Sequence, residues 1–325
     1  MKKNNKKIII SLSGGLGNQM FQFALYTKLS QNGLNVYFDK SWHSIYTKNN
    51  HENIKLDYFN INNLKFVSFK EASKYVDYSC LPYKILLKLK VNIFILLKNI
   101  NRKIIKKINI ILLIKYNNKS KYYLLEDTKK SMDLIWNLDG RKSIYLNGTF
   151  ARYQYINEIK TQLIKSFSFS DDLPECINIL LNEIKSKNSV AIHVRRGDYV
   201  GDKQRDVCGM FYYQNAINLL STKYNDLYFY LFSDDIEFLK TNFYFLNNCK
   251  IINNSNLDKP EYYDFFLMTQ TNHLIISNST FAWWAAWLNQ NNDKNIIAPE
   301  LFHTDNSWVN SYELYPPEWI KLSIK

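Results

Sequence analysis

Residues 189–198 read Ser-Val-Ala-Ile-His-Val-Arg-Arg-Gly-Asp, a short apolar strand that runs straight into two arginines and an aspartate. Open α/β sheets bind ligands just outside the carboxyl ends of their strands. Charges placed there are expensive to hold together unless something uses them. The planar guanidinium fork matches phosphate oxygens, so the cluster reads first as a clamp for a diphosphate. The competing reading is a buried Arg–Asp pair that braces a loop. Alternation along the strand puts His193 and Arg195 on one side. Arg195 is therefore the phosphate candidate, and Arg196 should turn away toward an acid such as Asp198.

Downstream the pattern is regular. Residues 211–224 read as a helix, and 226–232 as a strand ending at Ser233-Asp234-Asp235. Helices follow at 236–246 and 261–270, then a strand at 273–277 that ends on Asn278-Ser279-Thr280. A helix at 281–289 and a strand at 295–298, stopped by Pro299, complete the series. Strands alternating with helices imply a parallel sheet with right-handed crossovers. In such a sheet the strand ends share one edge, so the polar loops at 193–198, 233–235 and 277–280 should line one crevice.

Within that crevice Ser279 and Thr280 open a helix, whose free backbone N–H groups and dipole favour a phosphate. An ordinary N-cap role for Ser279 is compatible with this. Trp283, Trp284 and Trp287 read as core packing behind the helix rather than as a sugar platform. Asp264 stands among Tyr262, Tyr263, Phe265 and Phe266, and a carboxylate so surrounded needs a partner. That partner is either the N1–H and exocyclic amine of guanine, or a cap or salt bridge at the surface.

The first half opens with a strand at 7–12 that breaks at Ser-Gly-Gly-Leu-Gly-Asn-Gln, residues 13–19. A helix follows, with Phe21, Ala24, Leu25 and Leu29 at helical spacing, and 35–38 reads as the next strand. A dinucleotide fingerprint would need a third glycine where Met20 stands, and no Walker lysine follows. The glycines Gly15 and Gly17 are better read as permitting close backbone approach. Asn18 and Gln19 would then project amides, suited to hydroxyl-rich sugars, into a cleft between the halves. Residues 141–150 read as the last strand and turn of this half, and 166–174 as the connection between domains. No Asp-x-Asp triplet occurs. Charge on a departing diphosphate should thus fall to arginine and helix ends, without a metal.

At 325 residues the chain suggests two domains, and 46% apolar with 16% aromatic residues describes a packed globular protein. The net charge of +13 invites a polyanion, but the lysines are scattered among Asn and Ile as a general compositional skew would scatter them. Cys80, Cys176, Cys208 and Cys249 form no CxxC pair, against a zinc site and in keeping with a reducing compartment. The apolar run at 8–12 is too short for a signal peptide, and none reaches the length of a bilayer span. A cytoplasmic protein is expected, with membrane contact only from the inner face. Residues 81–123 carry no acidic residue and break Ile/Leu runs with Lys and Arg. They read as a basic helical hairpin: either an excursion whose lysines face water, the favoured reading, or a surface lying on an anionic membrane.

Four blocks taken together resemble glycosyltransferase family 11, the α-1,2-fucosyltransferases, in its bacterial form. They are Gly-Gly-Leu-Gly-Asn-Gln-Met-Phe-Gln at 14–22, His-Val-Arg-Arg-Gly-Asp-Tyr at 193–199, Phe-Ser-Asp-Asp at 232–235 and Ile-Ser-Asn-Ser-Thr-Phe-Ala-Trp-Trp at 276–284. The resemblance is weakest across 81–123. It implies an α/β fold of the GT-B kind, two Rossmann-like domains facing across a cleft. Residues 1–160 would form the acceptor side, 161–300 the donor domain, and 301–325 a tail packing back toward the first domain.

The implied reaction is inverting, metal-independent transfer of L-fucose from GDP-β-L-fucose to the 2-hydroxyl of a terminal galactose. The acceptor would be an oligosaccharide or lipid-linked glycan of an O-antigen or capsule, with no nucleic-acid partner and no cofactor. Carried onto this sequence, the resemblance gives Arg195 the β-phosphate, His193 a place beside the nucleotide, Ser279 and Thr280 phosphate contacts, and Asp264 guanine. Ser233, Asp234, Ser277, Asn278 and Phe281 would complete the donor side. Gly15, Gly17, Asn18, Gln19 and Arg152 would serve the acceptor side. Arg195, Asn18 and Asp198 are the catalytic candidates, Asp198 being either a base or a structural acid. The rivals are another GDP-sugar transferase, a fucosyltransferase of different linkage, and a non-catalytic basic protein of nucleotide-binding fold that holds a membrane or polyanion.

Overall fold

The computed structural model describes residues 6–41, 54–72, 75, 122–126, 135, 143–169, 172–304 and 311–324. The expectation of a basic hairpin at 81–123 lies outside them except for its last two positions, which open a strand and not a helix.

Two parallel sheets form the frame. The first contains β1 (Ile8–Ser11), β2 (Val36–Asp39), β3 (Tyr122–Glu126) and β4 (Ser143–Asn147) in the order β2-β1-β4-β3. Ile8, Ile9 and Ile10 of β1 are all buried. A continuous apolar run, rather than an alternating one, is what a central parallel strand covered on both faces requires. At the end of β2 Asp39 is buried but satisfied, accepting from the Ser41 backbone N–H at 2.9 Å and the Tyr145 hydroxyl at 2.7 Å.

The second sheet contains β5 (Asn188–Val194), β6 (Leu227–Ser233), β7 (Cys249–Ile251), β8 (His273–Ile275), β9 (Ile296–Pro299) and β10 (Ile320–Leu322). Their order is β10-β9-β8-β5-β6-β7, every pair parallel. Val190, Ile192 and Val194 of β5 pack into a core with Tyr212, Tyr213, Ala216 and Leu239, on the helices Met210–Lys223 and Ile236–Asn242. Period-2 alternation sends His193 to the other face, where its ring lies 5.6 Å from that of Phe281.

The chain divides into two compact units, 1–13, 25–53 and 63–149 against 14–24, 54–62 and 150–325. The expected division of the chain falls at 160 and 300. The glycine loop and the start of the helix Leu16–Gln31 belong to the second unit. Phe21 explains this: its ring packs 4.8 Å from Trp283 and 5.0 Å from Trp284. Trp283, Trp284 and Trp287 are indeed core residues. The segment after 300 supplies β10, an edge strand of the second sheet, and Glu313, which reaches Arg152.

Candidate functional site

The strand order β8-β5-β6 makes the three strands with polar ends immediate neighbours, and all three are parallel. The loops after Val194, Ser233 and Ile275 therefore emerge from one edge, as the sequence predicts.

Asp234, from the second loop, stitches the first in place. Its Oδ1 accepts the Arg196 backbone N–H at 2.8 Å and its Oδ2 pairs with Arg195 Nη1 at 2.6 Å. Gly197 makes this approach possible, since a Cβ there would lie 2.5 Å from Asp234 Oδ2. Arg195 Nη2 donates to Asp198 Oδ1 at 2.7 Å, and its guanidinium lies over the Tyr199 ring at 5.4 Å. A guanidinium carries five N–H donors. These two bonds leave Arg195 with donors to spare at a half-exposed position, which suits a ligand-facing role.

Arg196 corrects the expectation that it pairs with Asp198. Its guanidinium stacks 4.1 Å over Phe238, and its Nε stands 4.0 Å from Asp235 Oδ2. Asp198 instead bridges Arg195 and Arg205, whose Nη1 donates to Asp198 Oδ2 at 2.6 Å. Burial pushes the Asp198 carboxyl up, but the hydrogen bonds and charges of these two arginines outweigh it and hold the group below its ordinary value. Such a carboxylate is a poor proton acceptor.

On the third loop His193 Nδ1 and Ser277 Oγ are hydrogen-bonded at 2.8 Å, both residues buried. Burial, with a smaller contribution from the Arg195 charge, lowers the imidazole to about 3, so the ring is neutral at physiological pH. Ser279 precedes the helix Thr280–Leu288 in extended conformation, and its side chain makes no capping hydrogen bond. The first-turn N–H groups of that helix have no intrahelical acceptor. Asn278, expected on the donor side, spends its amide within the protein. Its Nδ2 donates to the carbonyls of Arg205 and Phe302, each at 2.8 Å, and its Oδ1 accepts from Cys208 Sγ at 3.5 Å. Ser233 Oγ accepts the Asp235 N–H at 3.0 Å, bracing its own loop.

The glycine loop closes on this same helix end. A Cβ on Gly17 would lie 2.4 Å from the Phe281 nitrogen, so only glycine lets the two backbones meet. Beside it Thr280 Oγ1 donates to Asn18 Oδ1 at 2.8 Å. Gly15 has open space around it. Gln19 does not project outward: it is buried, its Nε2 donates to the Gly14 carbonyl at 2.9 Å and its Oε1 accepts the Lys55 N–H at 2.9 Å. Arg152 is buried, with Nε 3.1 Å from Glu313 and Nη1 2.8 Å from the Ala151 carbonyl.

Asp264 lies on the helix Pro260–Thr269 and accepts from Asn254 Nδ2 at 2.7 Å. Burial raises its carboxyl to about 7, against the lowering effect of the Asn254 bond, with Glu261 adding to the rise. Asn254 and Arg205 are the two contributors that no pattern in the sequence singled out.

Residues 7–323 match the family model described as Glycosyl transferase family 11. The chain is 29% identical to an alpha-1,2-colitosyltransferase of Escherichia coli, over 97% of this chain and 98% of that one. It is 29% identical to the O-antigen biosynthesis glycosyltransferase WbnK of Escherichia coli, over 96% of this chain and 99% of that one. A stretch of 160 residues is 24% identical to galactoside alpha-(1,2)-fucosyltransferase 2 of Rattus norvegicus, covering 44% of this chain and 45% of the other.

Proposed function

The chain belongs to glycosyltransferase family 11, and we propose that this glycosyltransferase moves L-fucose, or a close deoxy analogue of it, from its GDP ester to the 2-hydroxyl of a galactose-ended glycan. The linkage is the feature shared by the names of the colitosyl- and fucosyltransferase relatives. Colitose is the 3-deoxy form of L-fucose, so one pocket shape serves both. The observation that carries the reading is the rim itself, where Arg195 and the N-terminus of the helix Thr280–Leu288 stand on loops that leave adjacent strands.

In this reading the acceptor oxygen bonds to the sugar C1 as the bond from C1 to the β-phosphate breaks, inverting that centre, and the hydroxyl proton is released to water. Negative charge grows on the departing GDP. The unspent donors of Arg195 and the first-turn N–H groups of the helix are aimed at such charge before it develops, which is how a site stabilises a transition state without reorganising. His193, neutral and tied to Ser277, can donate or accept one hydrogen bond beside the nucleotide without adding charge. Ionised Asp264 would accept from the N1–H and amine of guanine. Asn18, set against Thr280, keeps an amide near the sugar. Asp198, held by two arginines, aligns Arg195 and does not take the acceptor proton. No step needs a metal.

The test is incubation with GDP-fucose, GDP-colitose and GDP-mannose against a panel of β-galactosides, with linkage analysis of the products. A 1,2-linked deoxyhexoside made equally well in EDTA is the expected result. Transfer from GDP-mannose alone, a different linkage, or loss of activity in EDTA would overturn it. The sharper of the two donors names the natural one.

A further inference from the structure

Arg205 lies outside every motif block, yet it is wired into the phosphate side of the rim. Asp198 is the link: Oδ1 takes Arg195 Nη2 at 2.7 Å and Oδ2 takes Arg205 Nη1 at 2.6 Å. Both guanidinium groups lie over one ring, that of Tyr199, Arg195 at 5.4 Å and Arg205 at 4.9 Å. Their donors are spent differently. Arg205 gives Nη2 to the Asp198 carbonyl at 3.0 Å, and Nη2 and Nε to Asp202 Oδ2 at 2.9 and 3.1 Å. Its fork is consumed inside the loop, whereas Arg195 keeps donors to spare. The carbonyl of Arg205 is in turn pinned by Asn278, on the loop that opens the helix Thr280–Leu288.

We propose that Arg205 is a positioning residue for donor binding: by gripping both the carboxylate and the carbonyl of Asp198, it fixes the acid that orients Arg195 toward the β-phosphate. The Asp198 side chain is 55% exposed. An exposed carboxylate held by one arginine samples many geometries, and its pairing contributes little. Two arginines, one of them bidentate across side chain and backbone, leave it one geometry. Arg205 itself does not touch the donor. Its effect on the β-phosphate should vanish when Asp198 is removed.

This rests on the GDP-sugar reading above, and nucleotide binding separates the two. Affinities for GDP and GMP are measured by titration calorimetry on the full chain, with transfer rates alongside. Wild type should bind GDP more tightly than GMP, because only GDP presents the β-phosphate. Arg205→Met should shrink that ratio by about fivefold or more while GMP affinity stays within about twofold, and should lower kcat by about tenfold. Arg205→Lys, which keeps the charge and loses the fork, should recover only part. The double variant Asp198→Asn/Arg205→Met should be no worse than the worse single one, as expected for groups that act in series.

Equal losses of GDP and GMP affinity, an unchanged ratio, or losses that multiply in the double variant would overturn the proposal. If Arg205→Met does not fold, the ratio in Arg205→Lys decides: a wild-type value overturns it. If wild type fails to distinguish GDP from GMP, the assignment of Arg195 to the β-phosphate fails, and the role of Arg205 falls with it.

Discussion

Thr280 donates its hydroxyl to Asn18 across 262 positions of sequence, at 2.8 Å, and this contact locks the first glycine-rich loop onto the helix end expected to meet phosphate. Gly17 stands next to it, with the Phe281 nitrogen and the Thr280 carbonyl carbon each 2.4 Å from where a Cβ would be. Neither neighbour is a flexible side chain, so a methyl group can be admitted only by moving backbone. Gly17→Ala should cost about 1–3 kcal/mol, typical of overpacking, and should abolish transfer by opening the loop. Thermal unfolding and initial rates check both. Asn18→Ala should keep the fold, losing about 1 kcal/mol for one hydrogen bond, yet lose most of its activity. An active Asn18→Ala enzyme would reduce the loop to a structural brace.

Arg195 is half-exposed and braced by two carboxylates, so its removal should spare the fold. Arg195→Ala should reduce turnover by roughly 10²–10³, the scale for losing one preorganised donor to developing charge. Arg195→Lys should recover little, because an ammonium cannot serve Asp198, Asp234 and a phosphate from one plane. Initial rates, with circular dichroism to confirm folding, check this. Near-normal turnover in the alanine variant would remove the phosphate assignment.

Two groups titrate with opposite consequences. Asp264 is raised to about 7 from its ordinary value of 3.8, because burial disfavours its charge. The folded state holds its proton longer than the unfolded state does. Its contribution to stability is therefore complete below pH 3.8 and is lost as pH rises toward 7. Guanine recognition runs the other way, since only the ionised form accepts two donors. GDP affinity should weaken as pH falls below about 7, and Asp264→Asn should flatten that profile. His193 is lowered to about 3 from 6.5. It binds a proton more readily unfolded, so its contribution to stability is present above pH 6.5 and is lost as pH falls toward 3. Chemical denaturation at pH 4, 6 and 8, with His193→Gln for comparison, reads the second effect apart from the first.

The features readable in the sequence were those whose signal is local and repeats. Period and strand-end polarity placed the polar ends of β5, β6 and β8 on one edge, and Trp283 and Trp284 in the core, because burial and alternation write themselves into adjacent residues. What could not be read was how a side chain would spend its hydrogen bonds. Gln19 belongs to a motif but serves its own loop and Lys55. Arg205 belongs to none but holds Asp198. β7 and β10, three residues each and only half-buried, carry no continuous apolar run to mark them, unlike the fully buried β8. The crossing of 14–24 into the second unit depends on Phe21 meeting tryptophans more than 250 positions away, which spacing cannot announce.

Asn278 gives the last test, because its two readings predict different observables. It stands between Ser277 and Ser279 in a motif where a donor contact was expected. It is instead 1% exposed, with both amide hydrogens given to the carbonyls of Arg205 and Phe302. Removing the amide takes away two hydrogen bonds, at about 1 kcal/mol each, although the Arg205 carbonyl keeps the Val207 N–H at 2.9 Å. Asn278→Ala should therefore lower the melting temperature by several degrees. Because Arg205 is one of the two carbonyls released, kcat should fall with stability, while affinity for GMP, which lacks the β-phosphate, stays near wild type. A variant that melts normally and loses GMP affinity would return Asn278 to direct contact with the nucleotide.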